Sequence, residues 1–367
     1  MKSLFTQRLR PVLFAIAALT LVVGLVAGLA RLQITASALA AHLAVFHVPL
    51  LISGFFGTVI SLERAVAIQT PMAYAASLIN VTAAVLLLFS DLNLVVQTLS
   101  ILAAVMLTAM SLQLLRKVKA DFTIILGVAA GCWIAGGFVW WLTQDPSRAT
   151  LLWFGFLVIT IAGERLELTR FLPTPSTAKR WFYLIVLVLV LGGLGSASSI
   201  AAAAQLFSLG LITLAVWLSR FDIARHNIRQ TGVTRYIAIC LLSGYAWLGL
   251  AGILGLFGAF DIGSPLRDGA LHALGLGFVM AMVFGHALII LPAVARIKVP
   301  YHAAFYLPLG LLHGSLLLRV IGNWLDIIGL QQLGAMANTL TFLVFAAVMI
   351  WRVRSTTPTS ARPATHS

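Results

Sequence analysis

DGALHALGLGFVMAMVFGHALIILPAVAR, residues Asp268 to Arg296, is long enough to cross a bilayer at 1.5 Å of rise per residue against roughly 30 Å of hydrocarbon. It nevertheless carries two histidines, His272 near one end and His286 fourteen residues on. Ionisable groups at membrane depth are uncommon unless something pairs with them. The stretch also holds a trace of internal duplication. Gly277-Phe278 is followed eight residues after the Phe by His286, and the same spacing links Gly54-Phe55 to Glu63 and Gly155-Phe156 to Glu164. The copies lie 101 and 122 residues apart, which points to three related blocks, about 1–119, 120–220 and 221–354.

A chain that is 61% apolar and 9% charged, with a mean hydropathy of +1.04, cannot hide that apolar surface inside one water-soluble globule. The expected class is an all-α polytopic membrane protein. The net charge of +14 raises the question of nucleic acid, but the charges fall in short loops between apolar runs, where they act as topology signals, so no nucleic-acid partner is expected. Cys132 and Cys240 sit within apolar runs as buried, inert thiols and are too few for a disulfide framework. The run Pro11 to Ala30 follows Lys2, Arg8 and Arg10 as a signal peptide would. At about twenty residues it exceeds the roughly 7–15-residue apolar core of one, so it reads as a span.

Windows of about twenty apolar residues give twelve spans, near 11–30, 37–62, 71–90, 93–115, 122–143, 149–166, 181–197, 199–219, 234–258, 268–294, 302–323 and 332–351. With the N-terminus inside, twenty of the twenty-four Lys and Arg fall on the cytoplasmic side. Only Arg31, Arg148 and Arg267 fall outside, and Arg319 lies within a span. The expectation is a single transmembrane domain over 1–354 in a bacterial inner membrane, both termini cytoplasmic, with a disordered tail over 355–367. The three blocks would form four-helix arcs with helices 2, 6 and 10 facing inward. Pro49, Pro292 and Pro308 are expected to kink their helices, and Trp140, Trp141, Trp153, Trp181, Trp324 and Trp351 to form an interfacial belt.

Counting residues from the helix ends places His42 and His47 on helix 2 roughly 9 and 16 Å deep, His272 on helix 10 roughly 9 Å deep, and Arg319 and His313 on helix 11 roughly 6 and 15 Å deep. Four histidines and an arginine therefore share the outer half, in two layers, His42 with His272 and His47 with His313. Neutral imidazole is the usual side-chain ligand of haem iron, copper and zinc. Two imidazoles from different helices would make a six-coordinate haem b, with His272 and either His47 or His42 as axial ligands. His313 is the candidate ligand of a second metal such as copper, and Arg319 a partner for a haem propionate. The bland alternative is that each histidine bonds a neighbouring helix. A second polar layer, Glu63, Arg64, Glu164, Arg165 and His286, lies at the cytoplasmic ends. It is either an ion-pair ring or a metal or proton-handling site.

With HLAVFHVPLLISGFFGT (His42 to Thr58) on helix 2, and ALHALGLGF followed by Gly285-His286 on helix 10, the sequence resembles the NnrS family of haem- and copper-containing twelve-helix membrane proteins. That resemblance implies a role in nitric oxide or other respiratory redox metabolism, with a small gas as partner. Where that family has HxHE, this chain has His42 and His47 five apart with Val48 after the second. A wider similarity is to the haem–copper oxidase catalytic subunit, but helices 6 and 7 here carry no histidine, so that family's copper triad is missing. A secondary transporter of a small solute and an assembly partner of a respiratory complex are the rival expectations.

Overall fold

The computed structural model describes residues 2–355 apart from 36–37, 90–92, 170–171 and 173–174, with side chains from Arg8 onward except that of Ala38. Arg170, Arg362 and the expected tail beyond Ser355 lie outside the described residues. Every regular element among them is helical. Among the described residues twelve helices are long and apolar enough to cross a membrane. They are α1 (Arg8–Arg31), α2 (Leu39–Ile68), α3 (Pro71–Phe89), α4 (Asn93–Lys117), α5 (Asp121–Thr143) and α6 (Pro146–Thr169). The second half comprises α7 (Ser176–Ala197), α8 (Ala203–Phe221), α9 (Gly232–Leu256), α10 (Arg267–Val294), α11 (Ala303–Trp324) and α12 (Ile328–Arg354). The chain is accordingly a multi-pass membrane protein. An even number of spans puts both chain ends at one end of the bundle, called proximal here; the opposite end is distal.

Sequential helices pack as antiparallel neighbours, α5 along α6, α8 along α7 and α9, and α11 along α12. The turn after Gly192 does separate two spans: α7 runs to Ala197, and Ser199 and Ala202 then adopt left-handed backbone at φ 57° and 60° before α8 begins. The most buried spans are α6, α10 and α2, at 89%, 67% and 56%, while no other exceeds 50%. These three also touch one another pairwise.

Two of them are not regular. In α2 a 3₁₀ segment at Ala44–Phe46 leads into His47 and Pro49, and Leu50–Gly57 is then π-helical. In α10, Ala273–Met280 is π-helical immediately after His272. Pro49 explains part of the first, because it has no N–H to give and its ring crowds the preceding turn. The aromatic belt is only partly there. Trp141, Trp181, Trp324 and Trp351 are exposed, whereas Trp140 and Trp153 are buried and pack edge-on with ring centres 5.7 Å apart. Proximity to a helix end misled for these two because α5 and α6 turn their ends toward each other.

Candidate functional site

Between the distal halves of α1, α2, α6, α10 and α12 lies a cavity of about 400 Å³, lined at its distal end by residues of the segment 262–267. Its volume falls in the range of ligand sites, about 300–1,000 Å³. The walls are apolar, with Leu25, Leu51, Phe56, Phe154, Leu276 and Phe342 among them, and the polar lining gathers toward the distal rim as Arg31, His47, Arg267, Asp268 and His272.

His47 and His272 face each other across this space, ring centres 6.0 Å apart and planes inclined by 27°. Each is oriented in the same way. His47 Nδ1 lies 2.7 Å from the carbonyl of Gly24 on α1, and His272 Nδ1 lies 2.7 Å from the carbonyl of Asp268 one turn earlier. A carbonyl only accepts, so both Nδ1 atoms carry the proton, and both Nε2 atoms are bare lone pairs. Neither Nε2 has a hydrogen-bond partner among the described residues. The close seat of His47 is made by the Gly-rich half of α1: a Cβ on Gly28 would stand 2.6 Å from His47 Cε1.

Asp268 holds the other imidazole from behind. Its carboxylate takes both arms of Arg319, Nε and Nη2 each at 2.8 Å, and the amide of Gln331 on α12 at 3.0 Å. Its Oδ1 also lies 3.3 Å from His272 Nδ1. Asn323 on α11 closes the same corner, accepting from Gly269 N–H and donating to the Pro265 carbonyl, both at 2.8 Å. A bidentate, charge-assisted pair is the strong form of this contact. It fixes the start of α10 to α11 and α12.

The expected pairing of layers is corrected in three respects. His47, not His42, is the partner of His272; His42 is exposed and stands edge-on to Phe46 at 5.9 Å. Counting from the helix end assumed a regular helix, whereas Ala44–Phe46, between the two histidines, is a 3₁₀ segment. His313 is not at the cavity: Trp247 Nε1 donates to its Nδ1 at 2.9 Å, so its Nε2 carries a proton and donates to Ser243 Oγ at 2.9 Å. With both nitrogens used it joins α11 to α9 and has no lone pair to offer a metal. Arg319 is closed onto Asp268 and does not line the cavity. The arginines that do are Arg31, which reaches the Ala44 carbonyl at 3.4 Å, and Arg267, which donates to the carbonyls of Phe260 and, at 2.9 Å, Ser147. The sequence did carry a signal for them, since both are exceptions to the charge bias.

The second expected layer lies at the proximal ends of the same three central helices. Arg165 donates to His286 Nε2 at 2.9 Å, and His286 Nδ1–H donates to the Met282 carbonyl at 2.8 Å. Glu164 is within electrostatic reach of Glu63, Arg64, Arg165 and Glu167. Among the described residues no three His, Cys, Asp or Glu side chains converge on a point that would hold a metal ion, here or in the cavity. The expected copper site therefore has no ligand set among them.

One comparison with known families spans this whole architecture, matching residues 10–354. The chain belongs to the family described as Domain of unknown function (DUF8744). All twelve DUF8744 spans contribute residues to that match, and the cavity and the proximal layer both fall inside it. No curated protein matches the chain.

Proposed function

We propose that this protein binds one b-type haem in the distal cavity, which His47 and His272 would hold. The observation that carries the reading is the facing pair of imidazoles, each with Nδ1–H fixed on a carbonyl and Nε2 bare. The two ring centres stand 6.0 Å apart, near enough for one bound group to be held by both. Fixing the far ring nitrogen on a backbone acceptor is how proteins set the tautomer of a ligating histidine. The remaining lining fits the same group. Apolar walls suit a macrocycle, and Arg31 and Arg267 at the rim suit two carboxylates, in the role expected of Arg319.

Bound there, such a group supplies one-electron chemistry. Held by both imidazoles, such a group would serve electron transfer. A link to nitric oxide or respiratory metabolism rests on the family resemblance of α2 and α10. The residues do the rest: His47 and His272 orient, Asp268 anchors, the apolar wall excludes water, and the two rim arginines neutralise anionic ends.

The scaffold reading that goes with this is three pseudo-repeated four-helix arcs with α2, α6 and α10 at the centre. It is supported by their burial, by their mutual contacts and by the repeated Gly-Phe spacing. The positive charges gathered at the proximal end support a topology in which that end, with both termini, faces the cytoplasm across a bacterial inner membrane.

The test is an optical spectrum and haem extraction of detergent-purified protein expressed with haem precursor. A Soret band with low-spin character and one haem per chain is expected, lost in both His47→Ala and His272→Ala. Absence of a Soret band, with haemin failing to bind on addition, removes the reading. What is then left is a cavity for another amphiphilic carboxylate, the transporter alternative.

A further inference from the structure

We infer that a second, smaller site lies behind the wide turn of α2, where Asn80 on α3 and Ser100 on α4 bind one buried water that ties the three helices together. The inference stands apart from the haem reading and does not need it.

The place is a cavity of about 10 Å³ between α2, α3, α4 and α5, and it shares no lining residue with the distal cavity. Pro49 and Ser53 line it from α2, Asn80 from α3, Ser100 from α4 and Trp140 from α5. One water needs roughly 10–15 Å³ of such space, so the volume admits a single water and nothing larger. No charged side chain lines it among the described residues. A bare ion would therefore be buried without a countercharge, which is costly.

A second, independent observation is the state of the Asn80 amide. Asn80 is 1% exposed, in the interior of a span. Its Nδ2 donates to the Ser53 carbonyl at 2.5 Å and to Thr58 Oγ1 at 2.9 Å. A carbonyl only accepts, so the orientation of the amide is fixed and both of its N–H groups are used. Oδ1 is left over, buried and with no hydrogen-bond partner among the described residues. The hydroxyl of Ser100, a residue 5% exposed, likewise makes no hydrogen bond to a described residue. Cavities that stay dry are lined by apolar groups, whereas buried waters sit where polar groups lack partners and make about three hydrogen bonds each. Here the water donates to Asn80 Oδ1 and accepts from the Ser100 hydroxyl. Ser53 Oγ, which already accepts from Trp133 Nε1 at 3.0 Å, supplies the third contact.

The consequence falls on α2. Ser53 lies within the π-helical stretch Leu50–Gly57, and Pro49 stands two residues after His47. The water and Asn80 together brace this irregular backbone against α3 and α4, on a face of α2 that does not line the distal cavity.

The test is an experimental structure of the full chain in lipid, at a resolution that shows ordered water. One peak is expected between Asn80 Oδ1 and Ser100 Oγ, about 2.5–3.0 Å from each. It should vanish in Ser100→Val, which removes the hydroxyl and puts a methyl group into the space, while the helices stay in place. An empty space in the wild-type map, with waters visible elsewhere, overturns the inference without any variant having to fold. An Asn80 amide turned so that Oδ1 takes a hydrogen bond from the protein overturns it too, as does a peak that persists unchanged in Ser100→Val.

Discussion

Helices α2 and α10 each leave α geometry directly below a histidine, whereas α6, the third central span and the most buried of all, runs regular from Pro146 to Thr169 and carries no histidine. All three contain the same Gly-Phe pair. In α2 and α10 it falls inside the π-helical stretch, at Gly54-Phe55 and Gly277-Phe278; in α6, Gly155-Phe156 sits in ordinary helix. The motif alone therefore does not make the wide turn. Wide turns are uncommon and collect at functional positions, and here they accompany the two spans that aim a side chain into the cavity. The regular helix supplies wall and packing.

The sharpest way to break this contrast is at the imidazoles. His47→Ala and His272→Ala should each abolish low-spin haem absorption, whereas Thr150→Ala, in the cavity wall on α6, should leave the spectrum in place. Retention of a low-spin spectrum in either histidine variant would end the assignment of these two residues. Next in size is the support of α10. Asp268→Ala strands Arg319, whose side chain is 7% exposed while that of Asp268 is 26% exposed. We expect a loss of about 3 kcal/mol of stability, the lower end of the range for opening a buried pair, read by thermal unfolding in detergent.

The Gly-Phe glycines sharpen the comparison further. A Cβ at Gly277 would collide with Trp247, which is itself held on His313; one at Gly54 would come within 3.3 Å of Thr20; one at Gly155 would meet nothing nearer than Cys132 Sγ at 3.7 Å. Alanine should therefore cost most at Gly277, on the order of 1–3 kcal/mol as overpacking does, less at Gly54, and almost nothing at Gly155. Equal losses at all three would mean that the repeat, and not the local packing, sets the need for glycine. Smaller again is His313→Ala, which removes an interhelical contact worth about 1 kcal/mol and should leave the haem spectrum untouched.

The least of these effects is a slope. The Asp222 carboxyl titrates above its unfolded value because it is buried. Folding then binds that proton more tightly, so the stability it lends is full below the unfolded carboxylate range and is lost as pH rises through the folded value. Asp222→Asn should flatten the fall of unfolding temperature over that interval. A slope identical to wild type would show that Asp222 is not the titrating group.

The spans, their number and their order were legible because apolar length and charge placement are properties of composition. His47 and His272 were legible because imidazole in hydrocarbon needs a reason. Which histidine of α2 meets His272 stayed open between His42 and His47, since the 3₁₀ segment that separates them leaves no mark in composition. Arg319 looked available only because Asp268, which ends its availability, reads as the harmless first residue of a helix. Arg31 and Arg267 stood out as charges on the wrong side, yet nothing in the pattern told that both would turn toward one cavity. The wide turns left no mark in composition either, beyond Pro49 in one of the two.

Because a π turn holds one more residue than an α turn, each such stretch is a place where the chain can lose a residue and stay helical. Deleting one residue between Leu50 and Gly57, or between Ala273 and Met280, would restore an ordinary ladder while rotating everything above the cut by roughly 100° relative to everything below. The span would still insert, and the imidazole would swing out of the cavity toward lipid. Relatives that have shed that residue should then be intact membrane proteins that have surrendered whatever this one holds between its two histidines.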